Sequence, residues 1–283
     1  MILRFFDPDS LTLEGSVGSR PGVGRFHRLA RLLKEMQQQQ GSAQSVMDFN
    51  FFKIAQSMIR NQLGTDIIAN NLSNIGTTGF KRDDQFTDWL VEATQVGGAR
   101  KFTDFTQGDV KRTDNPLDFT LAERGFFVLE TAEGHIYTRS GHFTVDGDGF
   151  LMAQNGAQLL GEHGPISILG NSGVPGVVEL SRDGIIYVGG TEIDRLLIAS
   201  VPDLQALEKA GGNTFRAAPG QLVMQLEPEA IHVQQGVLEG SNVAPVEEMI
   251  RLIELQRNYE STQRIARAMD SVEGRAISLS DYR

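Results

Sequence analysis

The residues best suited to proton chemistry near neutral pH are scattered along this chain, as His27, His135, His142, His163 and His232. His135 and His142 are near enough to face one another across a hairpin, but two imidazoles without a third ligand make a poor zinc site. Asp146 and Asp148 in VDGDGF resemble the start of a calcium loop, yet the later oxygen ligands and the closing Glu are missing. A turn in which Asp supplies local hydrogen bonds and Gly a positive φ accounts for them better. Asp114 and Asp118 flank NPL at a separation that suits paired carboxylates, but no substrate motif accompanies them, so a turn is expected there too. Gly125 and Gly141 fit close strand turns better than phosphate loops. Cysteine is absent, which removes a thiol nucleophile, a disulfide framework and a Cys-based zinc site. There is no P-loop, no GxGxxG after a strand, no HExxH and no GxSxG. The expectation is a non-enzyme with no catalytic residue, no cofactor and no metal.

Composition points the same way. The 283 residues allow one or two domains with a sizeable core, and 40% hydrophobic with 22% charged residues fits a globular chain. Thirty-one glycines imply many turns. A formal charge of −10 argues against a nucleic-acid partner, because phosphate binding needs concentrated Lys and Arg. No apolar run reaches the roughly 18 residues of a membrane span, so direct membrane insertion is not expected.

The periodic elements lie toward the two ends. From about Val246 to Val272, Leu252, Leu255, Tyr259, Thr262, Ala266 and Met269 recur at steps of three and four, the spacing of a coiled-coil seam. Ile250, Ile253, Ile265 and Val272 widen it, enough for more than one neighbour. Glu247, Glu248 and Glu254 precede Arg257, Arg264 and Arg267, an order that suits the helix dipole. Ser241 or Asn242 is expected to cap the helix or its approach, with Pro245 in an early helical position. From about Asp48 to Asn74 a second helix carries Phe51, Ala55, Met58, Gln62, Thr65, Ala69 and Leu72 at the same spacing, with Phe52, Ile59, Leu63 and Ile67 alongside. Gly76 and Gly79 end it. The amides of Asn70, Asn71 and Asn74 suit backbone groups at the helix end or between subunits.

Between the helices the pattern turns to short alternating strands. TAEGH, DGDG and Asp183-Gly184 read as hairpin turns, PDLQALEKAGG as a short helical or irregular excursion, and NTFRAA, QLVMQL, AIHVQQ and VLE as returning strands. The expected fold class is α+β: terminal helices pairing as a coiled-coil-like layer around an inserted, mostly antiparallel β domain. The expected divisions are 1–46, a flexible extension or mis-assigned start; 47–80, the N-terminal helix; 81–105, a linker or extended arm packed by Trp89; 106–237, the β-rich outer domain; and 238–283, the C-terminal motif and helix. The leader lacks the ordered regions of a secretory signal peptide. It either precedes a functional start at Met47 or is a genuine extension meeting a partner through Arg25, Arg28 and Arg31.

Three segments carry a family resemblance: ANNLSNIGTTGFKR at 69–82, NPLDFTLAERGFFVLETAEGHIYTRSGHFTVDGDGFL at 115–151, and LEGSNVAPVEEMIRLIELQRNYE at 238–260. In this order they resemble the bacterial flagellar rod and hook proteins, and within them the basal-body rod proteins of the FlgF (proximal) type, with the FlgG (distal) type as runner-up. The resemblance implies a structural subunit that polymerises through its terminal helices into an axial drive shaft and transmits torque from motor to hook. It implies as partners the chain itself, other rod and hook axial proteins and the flagellar type III export apparatus, with export lacking a cleaved signal peptide and residence in the basal body. The expected assembly interface is Met58, Asn70, Asn71, Leu72, Asn74, Gly79, Phe80, Ser241, Asn242, Val243, Leu252, Leu255, Tyr259, Ala266 and Met269. The seams then serve packing between subunits as much as pairing within one. A distal-rod or hook-type subunit and, in a different class, a β-rich extracellular binding module are the alternatives.

Overall fold

The computed structural model describes residues 43–86, 100–122, 124–169 and 176–280. The expected leader up to residue 42, with Arg25, Arg28 and Arg31, lies outside them, as does Trp89. Contacts divide the chain into two units, Met1–Ser57 with Ala266–Arg283 and Met58–Ile265. In the first, residues 43–57 and 266–280 are helical. The second holds the β strands and the adjoining parts of both helices.

Helix α1 runs Ala43–Ser73 and so begins inside the tract assigned to the leader, where AQSV carries neither Gly nor Pro to interrupt it. It tightens at its C-terminus, with Asn74 N–H donating to Asn71 O (3.0 Å) and Asn74 Nδ2 to Asn70 O (2.8 Å). Helix α2 runs Pro245–Ser280, opening on Pro with Glu247 and Glu248 in its first turn. The α+β class holds, and every strand pairing among the described residues is antiparallel.

The β body is built on Phe126–Thr131, which pairs with Gly134–Thr138, Gln158–Gly161 and Ile198–Ser200. Its alternate residues go to opposite faces and both faces are covered. Phe127 and Leu129 join Phe119, Phe143, Leu151, Leu159 and Leu196 in one apolar cluster, while Phe126 and Val128 join Tyr137, Leu160 and Phe215 in another. A three-stranded sheet, Val178–Leu180, Ile185–Val188 and Thr191–Arg195, adds Val178, Ile186 and Val188 to the first. The hairpins at Gly134 and at Asp183-Gly184 stand where the turn residues placed them.

One expectation is corrected. PDLQALEKAGG is a single turn at Leu204–Ala206 followed by strand Leu207–Gly211, because pairing with Thr214–Ala217 and burial of Leu207 override the local helical bias. The arm after Lys81 is a two-stranded ribbon in its described part, Asp83–Phe86 against Arg100–Thr103.

Two further ribbons lead from the body toward α2. Phe119–Leu121 pairs with Val233–Gln235, and Val110–Arg112 with Val237–Glu239. Gly236, at φ 74°, turns the chain between them.

Candidate functional site

Three separated segments meet in a buried charged junction within the unit Met58–Ile265. Lys81 is 0% exposed, and its ammonium donates to Glu239 Oε1 and to Thr106 O at 2.6 Å. Glu239, 1% exposed, also accepts from Gly108 N–H at 3.2 Å, and Arg139 Nε stands 3.6 Å from its second oxygen. The backbone closes the same contact: Gly79 N–H donates to Glu239 O at 2.7 Å. Gly79 sits at φ 65°, and a Cβ there would lie 2.5 Å from the backbone of Arg139 and Ser140. Only glycine allows that approach at that φ. Burial pulls the Lys81 ammonium below its ordinary pKa while Glu239 opposes it, and the Arg139 guanidinium is lowered for the same reason.

A second layer adjoins the first. Asn71, wholly buried, donates from Nδ2 to Asp83 O (2.8 Å) and accepts from Asp83 N–H at Oδ1 (3.0 Å), which closes a two-bond ring like a strand pair. Its Nδ2 also faces Glu248 Oε2 at 3.4 Å. The Asp83 carboxylate meets Lys101 at 2.6 Å, Lys209 at 2.8 Å and the Thr103 hydroxyl at 2.8 Å. Lys209 also donates to Lys81 O (2.8 Å) and stands 4.4 Å over the Phe80 ring; burial lowers its pKa and Asp83 opposes the shift. Asn242 accepts from Arg82 N–H (2.7 Å) and donates to Asp104 O (2.8 Å), so its side chain ties the approach to α2 onto the N-terminal segment instead of capping the helix. Ser241 is the residue used locally, accepting from Val243 N–H at 3.3 Å.

The helices present two kinds of face. On α2 the expected seam is the inner line: Leu252, Leu255 and Thr262 are half-buried and Tyr259 is exposed. Beside it Val246, Met249, Ile250 and Ile253 are 70, 53, 52 and 50% exposed. On α1 the buried line is displaced from the expected one. Asn61, Gly64, Ile67, Ile68 and Asn71 are buried, whereas Phe51, Gln62 and Ala69 of the expected seam are exposed. The reason is the crossing itself. A Cβ on Gly64 would lie 2.8 Å from Gln85 Nε2 and 2.9 Å from Leu255 Cδ1, so two side-chain ends fill the space over this glycine, a fit that an apolar pattern overlooks.

Of the expected interface residues, Asn71, Gly79, Phe80 and Val243 are buried within the subunit, and Ser241 and Asn242 are half-buried beside them. Met58, Leu72 and Asn74 are half-buried on or just past α1, and Asn70 is exposed. Ala266 and Met269 are half-buried in the other unit. The residues that sequence reasoning missed are Lys81, Asp83, Arg139, Glu239 and Glu248. Lys81, Arg139 and Glu239 each stand within two residues of a glycine in a quoted motif, which is the one local sign that they occupy tight junctions.

The histidines and Asp turns resolve plainly. His135 pairs with Glu130 across its hairpin and does not face His142, whose Nδ1 is 2.7 Å from Asp118 Oδ1. Asp118 also accepts from Thr113 and Asn115 side chains, and Asp146 accepts from the N–H groups of Asp148 and Phe150; both are turns.

Residues 55–81 match the flagella basal body rod protein family, residues 121–188 the flagellar hook protein FlgE/F/G D1 domain, and residues 234–279 the flagellar basal body rod FlgEFG protein C-terminal family. Lys81, Arg139 and Glu239 fall one in each match. The flagellar basal-body rod protein FlgF of Caulobacter vibrioides is 36% identical over 228 residues, covering 76% of this chain and 89% of that protein. FlgF of Salmonella typhimurium is 31% identical over 232 residues, 75% of this chain and 90% of that protein. The rod protein FlgG of Agrobacterium fabrum is 29% identical over 255 residues, 77% and 94% respectively. On these likenesses, which favour FlgF with FlgG as runner-up, the chain belongs to the flagellar basal-body rod protein family.

Proposed function

We propose that this rod protein enters the axis through its helices, with the outward face of α2 covered by a neighbouring subunit and the β body carried outside. The family role is structural and not enzymatic. The observation that carries the proposal is the spacing of Val246, Met249, Ile250 and Ile253, which stand at i, i+3, i+4 and i+7 on one helix face and are each half or more exposed. A contiguous apolar stripe on a soluble surface marks a contact.

Magnitudes argue for a polymer over a pair. Completing the burial of these four side chains yields about 1 kcal/mol each, or about 4 kcal/mol, and about as much again from the surface that covers them. Association alone costs about 4–15 kcal/mol. One stripe therefore leaves little surplus over that cost, and a subunit held by several unlike faces at once suits a helical stack in which each face meets a different face of the next copy. Exposed Phe51 and Ile59 on α1 offer further apolar surface.

Within this reading, Met58, Asn70, Leu72, Leu252, Leu255, Tyr259, Ala266 and Met269 contribute to pairing of the terminal helices and to contacts with other copies and with rod and hook axial proteins. Asn71, Asn74, Gly79, Phe80, Ser241, Asn242 and Val243 hold the helix ends in place. The FlgF likeness supports a proximal position, torque transmission along the packed helices, and delivery by the flagellar type III apparatus without a cleaved signal peptide. Among the described residues no helix is long and apolar enough to cross a membrane.

Deleting the coding region and imaging basal bodies tests the role. Loss of rod and hook is expected; intact basal bodies would overturn it.

A further inference from the structure

The geometry points to a latch: segment 78–83 and segment 237–248, more than one hundred and fifty positions apart in sequence, open and close as one cooperative unit, separate from the β body. This goes beyond assembly and holds whatever covers α2.

The contacts between the segments interleave. Gly79 N–H donates to Glu239 O (2.7 Å), Asn242 N–H to Phe80 O (3.3 Å) and Arg82 N–H to Asn242 Oδ1 (2.7 Å), while Lys81 pairs with Glu239. Neither segment can leave without stripping the other. Glu239 and Glu248 are each 1% exposed, and withdrawing 78–83 takes from them Lys81 and Arg82 respectively, leaving Glu239 with Arg139 Nε at 3.6 Å and Glu248 with Arg251 Nη1 at 3.6 Å. Each buried carboxylate loses a partner and keeps a single cation at 3.6 Å, which is unfavourable, so the C-terminal segment rises with the N-terminal one.

What separates this unit from the body is the kind of contact. The two apolar clusters draw on residues between 119 and 233 and include nothing from either segment, although Phe80 and Val243 are buried. The segments are fastened elsewhere by polar contacts: Val237–Glu239 pairs with Val110–Arg112 and Asp83 with Thr103, while Asn213 Nδ2 reaches Thr78 O, Lys209 Nζ reaches Lys81 O, the Thr78 and Ser140 hydroxyls bond, and Arg139 meets Glu239. Regions held by few apolar contacts open at lower free energy than the core. The consequence is that α2 is set on the body only in chains whose 78–83 segment is seated, since its first turn carries Glu248.

Native-state hydrogen exchange on the full chain tests the latch. Amides of 79–83 and of 237–248 are expected to share one opening constant, larger than that of 126–138. Lys81→Met should raise exchange in both segments together by about tenfold or more and leave 126–138 unchanged. Should Lys81→Met fail to fold, Glu239→Gln is the second probe: it takes the anion from both Lys81 and Arg139, and the same joint rise is expected. Separate opening constants for the segments, a rise in only one, or an equal rise across 126–138 would each overturn the latch.

Discussion

Asn71 takes the place of a strand neighbour for Asp83, and its loss leaves two backbone groups without partners in a buried site. Asn71→Ala is expected to lower stability by about 1–3 kcal/mol in urea unfolding. Asn74→Ala, which removes a bond to Asn70 O at a half-buried helix end, should cost under about 1 kcal/mol. Equal losses for the two would contradict the distinction drawn between them. His163 supplies a pH-dependent expectation. Its hydrogen bond to Asp194 (2.8 Å), with the carboxylate's charge, raises its pKa above 6.5. The stabilisation it contributes is therefore complete below the unfolded value and fades as pH rises through the folded one. His163→Gln should accordingly destabilise more at pH about 5.5 than at pH about 8, as followed by thermal unfolding at each pH. At this scale the sequence is least legible. Lys81, Asp83 and Glu239 are residue types that ordinarily face water, and nothing local reveals that their partners arrive from distant segments.

Helix α2 was legible because its inner line is apolar at coiled-coil spacing, and Leu252 and Leu255 do lie on the half-buried side. Helix α1 was not, because its buried line contains Asn61, Gly64 and Asn71, chosen for close approach and hydrogen bonding. Hairpins were readable from Gly and Asp alone, whereas Leu207–Gly211 needed a strand partner that only the folded body supplies. The two faces of α2 make separable predictions. Ile253→Asp, at an exposed position, should change stability by no more than about 0.5 kcal/mol and still block incorporation. Leu255→Asp, half-buried against Gly64, should cost about 1–3 kcal/mol as well. Gly64→Leu should separate the helices and cost about 1–3 kcal/mol through overpacking. Urea midpoints on the purified chains distinguish these outcomes.

For the molecule as a whole, the order of the three motifs is explained by where they meet. Lys81, Arg139 and Glu239 bring one residue from each to a single buried site, so motifs that look independent along the chain form one joint between helices and body. The joint is closed by the subunit itself, and the apolar stripe on α2 is the face proposed to meet another chain. The central claim, that this stripe builds the rod, is tested most directly by complementing a deletion strain with Met249→Asp/Ile253→Asp and imaging its basal bodies, after the purified variant is shown to unfold at the parent's urea midpoint. The account predicts basal bodies without a completed rod or hook. Complete rods bearing hooks in that strain would contradict it.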